Sequence, residues 1–204
     1  MSSLSSCKLC PRLVSFRREQ KHRYPDYHCL PVAPSGSKQA RLLIVGLAPG
    51  LHGANASGKP FCGDASGKLL FEMLLRFEFA SSSNADQAEL IDCRITNAVK
   101  CLPPQNRPNT DEVNRCSPYL RKEIAVLRPG SVILALGGLA HKAVLKALQI
   151  PAAQHSFGHA NRFQLDNELT LIDSYHCSRY NINTRRLSEA MFASVFAGIR
   201  QQLA

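Results

Sequence analysis

The sequence predicts an α/β fold, a three-layer α/β/α sandwich built on a central four-stranded parallel sheet. Two observations carry this prediction. Four short apolar runs rich in β-branched residues are typical of strands buried on both faces. Amphipathic stretches of helical length lie between these runs, so strand alternates with helix. Because 204 residues suffice for one well-buried domain and are rather few for two, we predict a single domain over residues 1–204.

The elements follow in order along the chain. The predicted strands span residues 41–47, 94–99, 131–136 and 169–175. The predicted helices span residues 66–79, 110–127, 139–148 and 188–203, and Asp111 and Glu112 stand in the first turn of the second helix, where acidic side chains favour a helix N-terminus. Residues 31–40 and 79–87 read as loops. This order predicts right-handed crossovers and helices on both faces of the sheet.

Charge and hydropathy narrow the functional class. Lys and Arg number 25 against 15 acidic residues, a formal charge of +10, which favours a polyanionic partner such as nucleic acid, although an ordinary basic enzyme has the same excess. No apolar run approaches a membrane span or a signal peptide, so we expect a cytoplasmic, nucleoid-associated protein. In that reducing compartment, clustered cysteines bind metal more often than they form disulfides.

Unusual segments follow each predicted strand. The glycine-rich stretch GLAPGLHGANASGKPFCGDASG follows the first, and Asn97 and KCLPP end the second. GGLAHKA follows the third strand and HCSRYNINTRR follows the fourth. Ligands bind at the carboxyl ends of parallel strands, so all four segments are predicted to meet at one rim of the sheet.

These segments, in this order and with four cysteines, resemble the uracil-DNA glycosylase superfamily, and within it the type B (family 5) enzymes. The matching stretches are GLAPGLHGANASGKPFCGDASG, TNAVKCLPP and HCSRYNINTRRL. The resemblance implies a uracil-DNA glycosylase-like fold and a DNA repair enzyme that hydrolyses the N-glycosidic bond of uracil, and of other deaminated bases such as hypoxanthine, leaving an abasic site. No lysine in the motifs is placed as a Schiff-base nucleophile, so no strand cleavage is expected. The alternatives are a type A-like, uracil-only glycosylase and a non-catalytic iron–sulfur module that binds nucleic acid.

Excision requires the nucleotide to leave the stack and enter a pocket. Asp64, the only acid of the first loop, is the candidate for orienting water and stabilising the sugar cation, the role that the resemblance also implies. Asn97 can read the Watson–Crick edge, and His176 can donate to a carbonyl oxygen that becomes negative. Phe61 is expected to stack on the base. The candidates for close backbone approach to the base are Gly50, Gly53 and Ala54. Asn55 and His52 are candidates of second rank, because each could either shape the loop or touch the substrate.

Each of these residues has a structural alternative. Asp64 stands two residues before a predicted helix and would serve there as a capping carboxylate. Phe61 would fill the core, Asn97 would tie down a loop, and His176 would be a histidine satisfied by backbone groups. Two departures from the type B pattern, Gly50 for alanine and Cys177 for proline, put the substrate range in doubt more than the reaction type.

The predicted metal ligands are Cys7, Cys10, Cys101 and Cys116. Spacing alone favours zinc modestly, whereas the resemblance implies a structural [4Fe–4S] cluster on an N-terminal segment, residues 1–40, packed against the domain. The remaining cysteines read as packing residues or exposed thiols.

Basic and glycine-rich positions are predicted to contact the DNA backbone. Arg179 and Arg185, with Arg186, flank the last motif, and Gly138 and Lys142 belong to a segment that opens a helix able to accept a phosphate. A solvated charged face explains the arginines almost as well. Tyr180 is a candidate wedge for the gap left by the extruded nucleotide. The expected partner is uracil-containing DNA, bound by a monomer.

Overall fold

The computed structural model describes residues 3–204 and has a six-stranded sheet with the strand order β1-β3-β2-β4-β6-β5. The strands are β1 Ser35–Gly36, β2 Leu42–Gly46, β3 Cys93–Asn97, β4 Val132–Leu136, β5 Arg162–Gln164 and β6 Thr170–Ser174. Strands β2, β3, β4 and β6 run parallel and correspond to the four predicted strands. The α/β class is confirmed.

The four predicted parallel strands are confirmed as the centre of the sheet, which also carries an unpredicted antiparallel strand at each edge, β1 beside β3 and β5 beside β6. Both edge strands are short and partly exposed, and neither has the apolar run by which the inner strands were recognised. Strand β1 lies in a stretch that reads as a loop, and its partner strand β3 holds it in place.

Seven α-helices are found among the described residues. They are α1 Pro11–Arg23, α2 Ala54–Ser57, α3 Ala65–Arg76, α4 Thr110–Ile124, α5 Gly138–Ala147, α6 Arg179–Asn183 and α7 Glu189–Leu203, with 3-10 turns at Leu4–Ser6, Pro104–Asn106 and Asp166–Glu168. Helices α3, α4, α5 and α7 match the predicted ones, whereas α1, α2 and α6 are additional. No helix within residues 3–204 is long and apolar enough to cross a membrane.

The sheet packs a hydrophobic core on each face, which makes the three layers. One core joins β2, β3 and β4 to α3 and α7, and its central side chains include Leu42, Ile44, Ile95, Leu74 and Phe196. The other core uses the alternate residues of β2 and β4 against α4 and α5, among them Leu43, Val45, Ile133, Leu120 and Val144. Burial on both faces explains why β2 and β4 are almost entirely apolar, whereas β3 and β6 also contain buried polar residues.

Strand register brings the carboxyl ends together. Gly46, the last residue of β2, lies opposite Asn97, the last residue of β3, and Leu136 of β4 lies opposite Ser174 of β6. The loops that leave these four strands therefore start from one rim of the sheet, as predicted.

Candidate active site

A cavity of about 310 Å³ opens at this rim. Segments after β2, β3 and β6 contribute its walls. The lining residues are Leu47, Ala48, Gly50, Ala54, Phe61, Asp64, Ser66, Asn97, Asn106, His176 and Ser178. We call this cavity the rim pocket. The lining includes six residues that were predicted from the sequence to contact the base or the sugar. They are Gly50, Ala54, Phe61, Asp64, Asn97 and His176.

The absence of a side chain at Gly46 lets Asn97 and Phe61 meet. A Cβ on Gly46 would lie 2.5 Å from Oδ1 of Asn97 and 2.7 Å from two ring carbons of Phe61. The Asn97 side chain is 3% exposed, and the structure gives its amide no hydrogen bond within the described chain. Because buried amides are normally satisfied, its donor and acceptor atoms are available to a ligand in the pocket.

Phe61 forms one wall of the rim pocket and also belongs to the core. Its backbone has φ of +55°, in the left-handed region that a non-glycine residue rarely occupies. Its carbonyl oxygen lies where a Cβ on Gly67 would be, so Gly67 is needed for this approach. The ring stacks against His176 with centroids 6.0 Å apart. Both interpretations of Phe61, core filler and flat pocket wall, therefore describe the same side chain.

Asp64 caps α3 and faces the rim pocket at the same time. Its Oδ1 accepts a hydrogen bond of 2.8 Å from the backbone N–H of Gly67, which satisfies one free donor at the helix N-terminus. The other oxygen, Oδ2, lies beside Gly50 and Gly53, where a Cβ would stand 3.5 Å and 2.5 Å away. The cap fixes the carboxylate, and the glycines leave room for its second oxygen.

His176 is held in an uncharged state by its surroundings. Burial lowers the pKa of His176 below its ordinary value of 6.5, while the charge of Asp64 opposes that shift. Asn181 of α6 donates a hydrogen bond of 2.8 Å to the His176 carbonyl oxygen and so fixes the backbone of this loop. A neutral imidazole can donate one ring hydrogen to an acceptor without bringing a positive charge into the pocket.

Other residues of the glycine-rich loop lie around the rim pocket at different distances. Ala54 lines it, and Gly53 lies behind it, next to Asp64. Asn55 is fully buried and turned away, since its amide nitrogen donates to the Cys29 sulfur at 3.3 Å. His52 is exposed and bonds through Nδ1 to the Tyr27 hydroxyl at 2.9 Å. The structure thus separates Asn55 and His52 from the pocket residues.

Three polar residues of the rim pocket had not been predicted as site residues: Ser66, Asn106 and Ser178. Asn106 follows the KCLPP segment in a 3-10 turn and has φ of +55°, and Ser178 is the N-cap of α6. Ser66 and Ser178 lie in segments that were expected at the rim, whereas Asn106 lies just beyond KCLPP. The position of Asn106, one turn beyond a proline pair, could have identified it, but the direction of its side chain depends on the turn.

The predicted DNA contacts are distributed around the rim pocket. Lys142, Arg179 and Arg185 are exposed, and Arg179 lines a groove of about 590 Å³ that also touches Asp64 and Lys68. Gly138 begins α5, where the ring of Phe157 packs over it. The guanidinium carbon of Arg186 lies 4.7 Å from the centre of the Tyr175 ring.

The candidate wedge, Tyr180, is 72% exposed on α6. Leu139, in the first turn of α5, is 60% exposed. Neither side chain fills the core, so both are free to contact a partner.

The four predicted metal ligands meet at one place. Cys7, Cys10, Cys101 and Cys116 all line a single narrow cavity of about 10 Å³ between α1, α4 and the loop after β3. Cys10, Cys101 and Cys116 also form a small buried cluster with Leu13 and Val99. Within the part of the chain that the structure describes, no three His, Cys, Asp or Glu side chains are arranged to hold a single metal ion.

Burial disfavours the thiolate form at Cys10, Cys101 and Cys116. Burial raises the pKa of Cys10 to about 11 and that of Cys101 to about 12, and the neighbouring thiols add to the increase. The backbone N–H of Lys100 donates to the sulfur of Cys116 at 3.4 Å, the kind of hydrogen bond that stabilises a cluster thiolate. Four thiolates are a donor set that either zinc or an iron–sulfur cluster can use.

Known proteins of one family are similar to this chain over most of its length. The family model described as the uracil DNA glycosylase superfamily matches residues 33–200. A type-5 uracil-DNA glycosylase of Thermus thermophilus is 37% identical, over 96% of this chain and 93% of its own. One of Pyrobaculum aerophilum is 42% identical, over 96% of this chain and 88% of its own. The structure of wild-type Pedobacter heparinus SMUG2 overlaps with a TM-score of 0.50 at 16% identity, covering 81% of this chain and 76% of that one, and shows the fold alone.

Proposed function

The chain belongs to the uracil DNA glycosylase superfamily, and from this membership we propose that the rim pocket hydrolyses the N-glycosidic bond of uracil and of other deaminated bases in DNA. The enzyme is a uracil-DNA glycosylase, and uracil-containing DNA is its substrate. Hypoxanthine is the further base that we propose. Release of the free base leaves an abasic site in the strand.

The observation that carries the proposal is the convergence of Asp64, Asn97 and His176 on the same cavity, with Phe61 as one flat wall. An extruded base would lie against Phe61, with its Watson–Crick edge toward the Asn97 amide. That amide offers one acceptor and two donor hydrogens, which match the adjacent N–H and C=O groups of uracil. The position of Asn97 in the pocket lining and its burial favour a role in recognising the base over a role in holding a loop in place.

Asp64 is proposed to act on the sugar side of the bond. A carboxylate at this position stabilises the positive charge that develops on the sugar and orients the attacking water. Its N-terminal position on α3 holds Oδ1, so that only Oδ2 remains for substrate. A carboxylate fixed in this way needs little reorganisation during the reaction, which is the source of most electrostatic catalysis.

His176 is proposed to stabilise the departing base. Negative charge grows on the base oxygens as the bond breaks, and a ring N–H of His176 can donate to one of them. The lowered pKa keeps the imidazole neutral near pH 7. A neutral donor stabilises the anion without the cost of burying a cation beside Phe61.

Small side chains support the wider base range. Gly50, Ala48 and Ala54 are small residues of the rim-pocket lining. A purine such as hypoxanthine has a second ring, and it presents the same N–H and C=O pair to Asn97 as uracil does. A uracil-only enzyme would need bulkier residues in this lining to exclude the second ring.

We also propose that a [4Fe–4S] cluster is held by Cys7, Cys10, Cys101 and Cys116. The shared cavity of the four thiols and the N–H donor of Lys100 support this ligand set. Such a cluster would join α1 to α4 and to the loop after β3, and its role would be structural. Zinc is the alternative occupant, and metal analysis of the native protein distinguishes the two.

The test is a base panel. Matched duplexes containing uracil, hypoxanthine or no lesion are incubated with the protein and then cleaved with alkali at abasic sites. We expect cleavage at uracil and hypoxanthine, and none without the alkali step. Cleavage at uracil alone supports the type A-like alternative. No cleavage with either lesion, together with intact DNA binding, would point to a non-catalytic module.

A further inference from the structure

A second cavity, of about 340 Å³, lies beside α1 and outside the rim pocket. Its basic lining residues are Lys8, Arg17, Arg18, Lys21 and His28, and no Asp or Glu of the described chain lines it. We infer that this cavity, called here the basic cavity, is a binding site for phosphate groups. Nothing in the excision chemistry of the rim pocket uses it.

The positive charge of the basic cavity is not neutralised within the protein. None of the ion pairs formed by residues 3–204 includes Lys8, Arg18 or Lys21. Arg17 is only 6% exposed, and its guanidinium makes two long contacts of 3.4 Å, to the carbonyl oxygens of Cys29 and Cys7. Its Nε has no hydrogen-bond partner in the described chain. A buried cation in this situation calls for an anion nearby.

The cysteine cluster accounts for part of this charge at most. The charge of Arg17 reaches Cys101, where it opposes the rise in thiol pKa that burial causes. An iron–sulfur group with four thiolates would therefore compensate Arg17. Lys8 and Arg18 are exposed, and both line the basic cavity. Those charges remain for a ligand that comes from solvent.

The sequence of α1 places these charges together at a cost to the helix. Arg17 and Lys21 are one turn apart, and like charges at this spacing destabilise an isolated helix. The helix dipole favours Lys21, which is in the last turn, but not Arg17, which is in the middle. An anion bound between them would remove the repulsion. Guanidinium and ammonium groups are also the side chains that bind phosphate oxygens most strongly.

The basic cavity shares a structural element with the rim pocket. The backbone N–H groups of His28 and Cys29 donate to the carbonyl oxygens of Ala56 and Asn55 in α2, at 3.0 and 3.1 Å. The ring of His28 packs so close to Gly58 that a Cβ there would stand 3.0 Å away. Because Ala54, the first residue of α2, lines the rim pocket, a phosphate in the basic cavity is one short helix away from the substrate.

The test uses the full chain and two double variants of equal charge. Lys8→Gln with Arg18→Gln removes two cations from the basic cavity, and Lys38→Gln with Lys122→Gln removes two exposed cations elsewhere. Binding of inorganic tripolyphosphate is measured by calorimetry at low salt. We expect the first variant to lose about tenfold in affinity and the second less than about twofold.

Phosphate groups reach the protein either in DNA or as a free polyphosphate, and a second arm separates these sources. Affinity for an undamaged duplex is measured against salt for the same variants. A salt slope reduced by about 2 in the first variant alone assigns the site to DNA phosphates. An affinity for DNA equal to that of the control, with tripolyphosphate binding lost, assigns it to free polyphosphate. Equal behaviour of both variants with both ligands overturns the proposal, and no outcome depends on base excision.

Discussion

The rim pocket and the N-terminal segment, residues 3–34, are held in place by different forces. The pocket residues extend from the ends of strands β2, β3 and β6, all of which are fully buried in the sheet. The N-terminal segment is attached by a bidentate Arg12–Glu112 pair at 2.8 and 2.7 Å and by backbone contacts such as Val32 N–H to the Lys100 carbonyl oxygen. Its small apolar contact consists mostly of cysteines.

The two regions therefore depend on different interactions for their stability. The rim pocket depends on apolar burial, which is insensitive to redox state and to metal. Docking of the N-terminal segment depends on thiols and on a partly exposed ion pair, which contributes modestly on its own. A bound cluster would therefore decide whether α1 stays docked, while the pocket chemistry depends on a few fixed polar groups.

The largest expected effect is at Asp64. Asp64→Asn should lower uracil excision by about 10²–10⁴-fold, because the amide lacks the charge that stabilises the sugar cation. Asparagine caps a helix as well as aspartate does, so the free energy of unfolding should change by less than about 1 kcal/mol. Single-turnover excision and urea unfolding measure the two quantities.

Asp111→Asn is the matched control, since it removes one carboxylate from the first turn of α4. It should leave excision near the wild-type rate. Near-normal turnover by Asp64→Asn would remove Asp64 from the catalytic role and leave it as a helix cap.

The second prediction tests the other region. Cys116→Ser should reduce iron from about four atoms per chain to less than about one, because one ligand of the proposed cluster is gone. Without the cluster, α1 should open more often, and limited proteolysis within residues 11–23 should accelerate by about tenfold. Cys93→Ala, at a thiol buried in β3, is the control and should keep its iron.

Colourless wild-type protein that contains zinc after native purification would replace the iron–sulfur proposal with a zinc site. Equal iron in Cys116→Ser and the wild type would exclude Cys116 as a ligand.

The third prediction concerns two glycines, Gly46 at the end of β2 and Gly50 in the loop that follows it. Gly46→Ala should place a Cβ against Asn97 and Phe61, which costs about 1–3 kcal/mol in stability and about tenfold in kcat/KM. Gly50→Ala meets only Oδ2 of Asp64, at an ordinary contact distance of 3.5 Å. Its kcat/KM should stay within about twofold of wild type. Steady-state excision and thermal unfolding check both variants, and equal losses for the two would contradict the packing argument.

The location of the rim pocket could be predicted from the sequence because it follows from the topology of the sheet. Parallel inner strands must end on one rim, and Asn97 and His176 stand at or just after those ends, whereas Asp64 stands at the far end of the loop after β2. The register of β2 with β3 then decided the contact of Gly46 with Asn97. This location could be predicted without knowing the direction of any side chain within a loop.

The features that were missed depend on tertiary contacts. Helix α1 has few apolar residues, and its buried face includes Arg17 and Gln20, so hydrophobic periodicity is weak. The edge strands are too short to show a pattern. Asn55 lies in the four-residue helix α2, where its side chain turns to Cys29 only because the N-terminal segment packs there.

The smallest expected effects are opposite pH dependences of two buried histidines. For His176, burial lowers the pKa despite Asp64, so the unfolded chain takes up a proton below about pH 6.5 that the folded chain refuses. Its share of stability is present above that pH and decreases as the pH falls. For His141, burial acts against the charge, but the Asp173 hydrogen bond of 2.8 Å and its charge prevail and raise the pKa. That share is present below pH 6.5 and decreases as the pH rises through the folded pKa.

Urea unfolding from pH 5 to pH 8 should therefore separate His176→Gln from His141→Gln. The first variant should flatten the loss of stability on the acid side, and the second should flatten the loss on the alkaline side, each by at most about 1.4 kcal/mol per pH unit. If both variants altered the same side, at least one histidine would have the wrong charge state. A change at His176 on the acid side carries the greater consequence, because the same neutral imidazole is the proposed donor to the departing base.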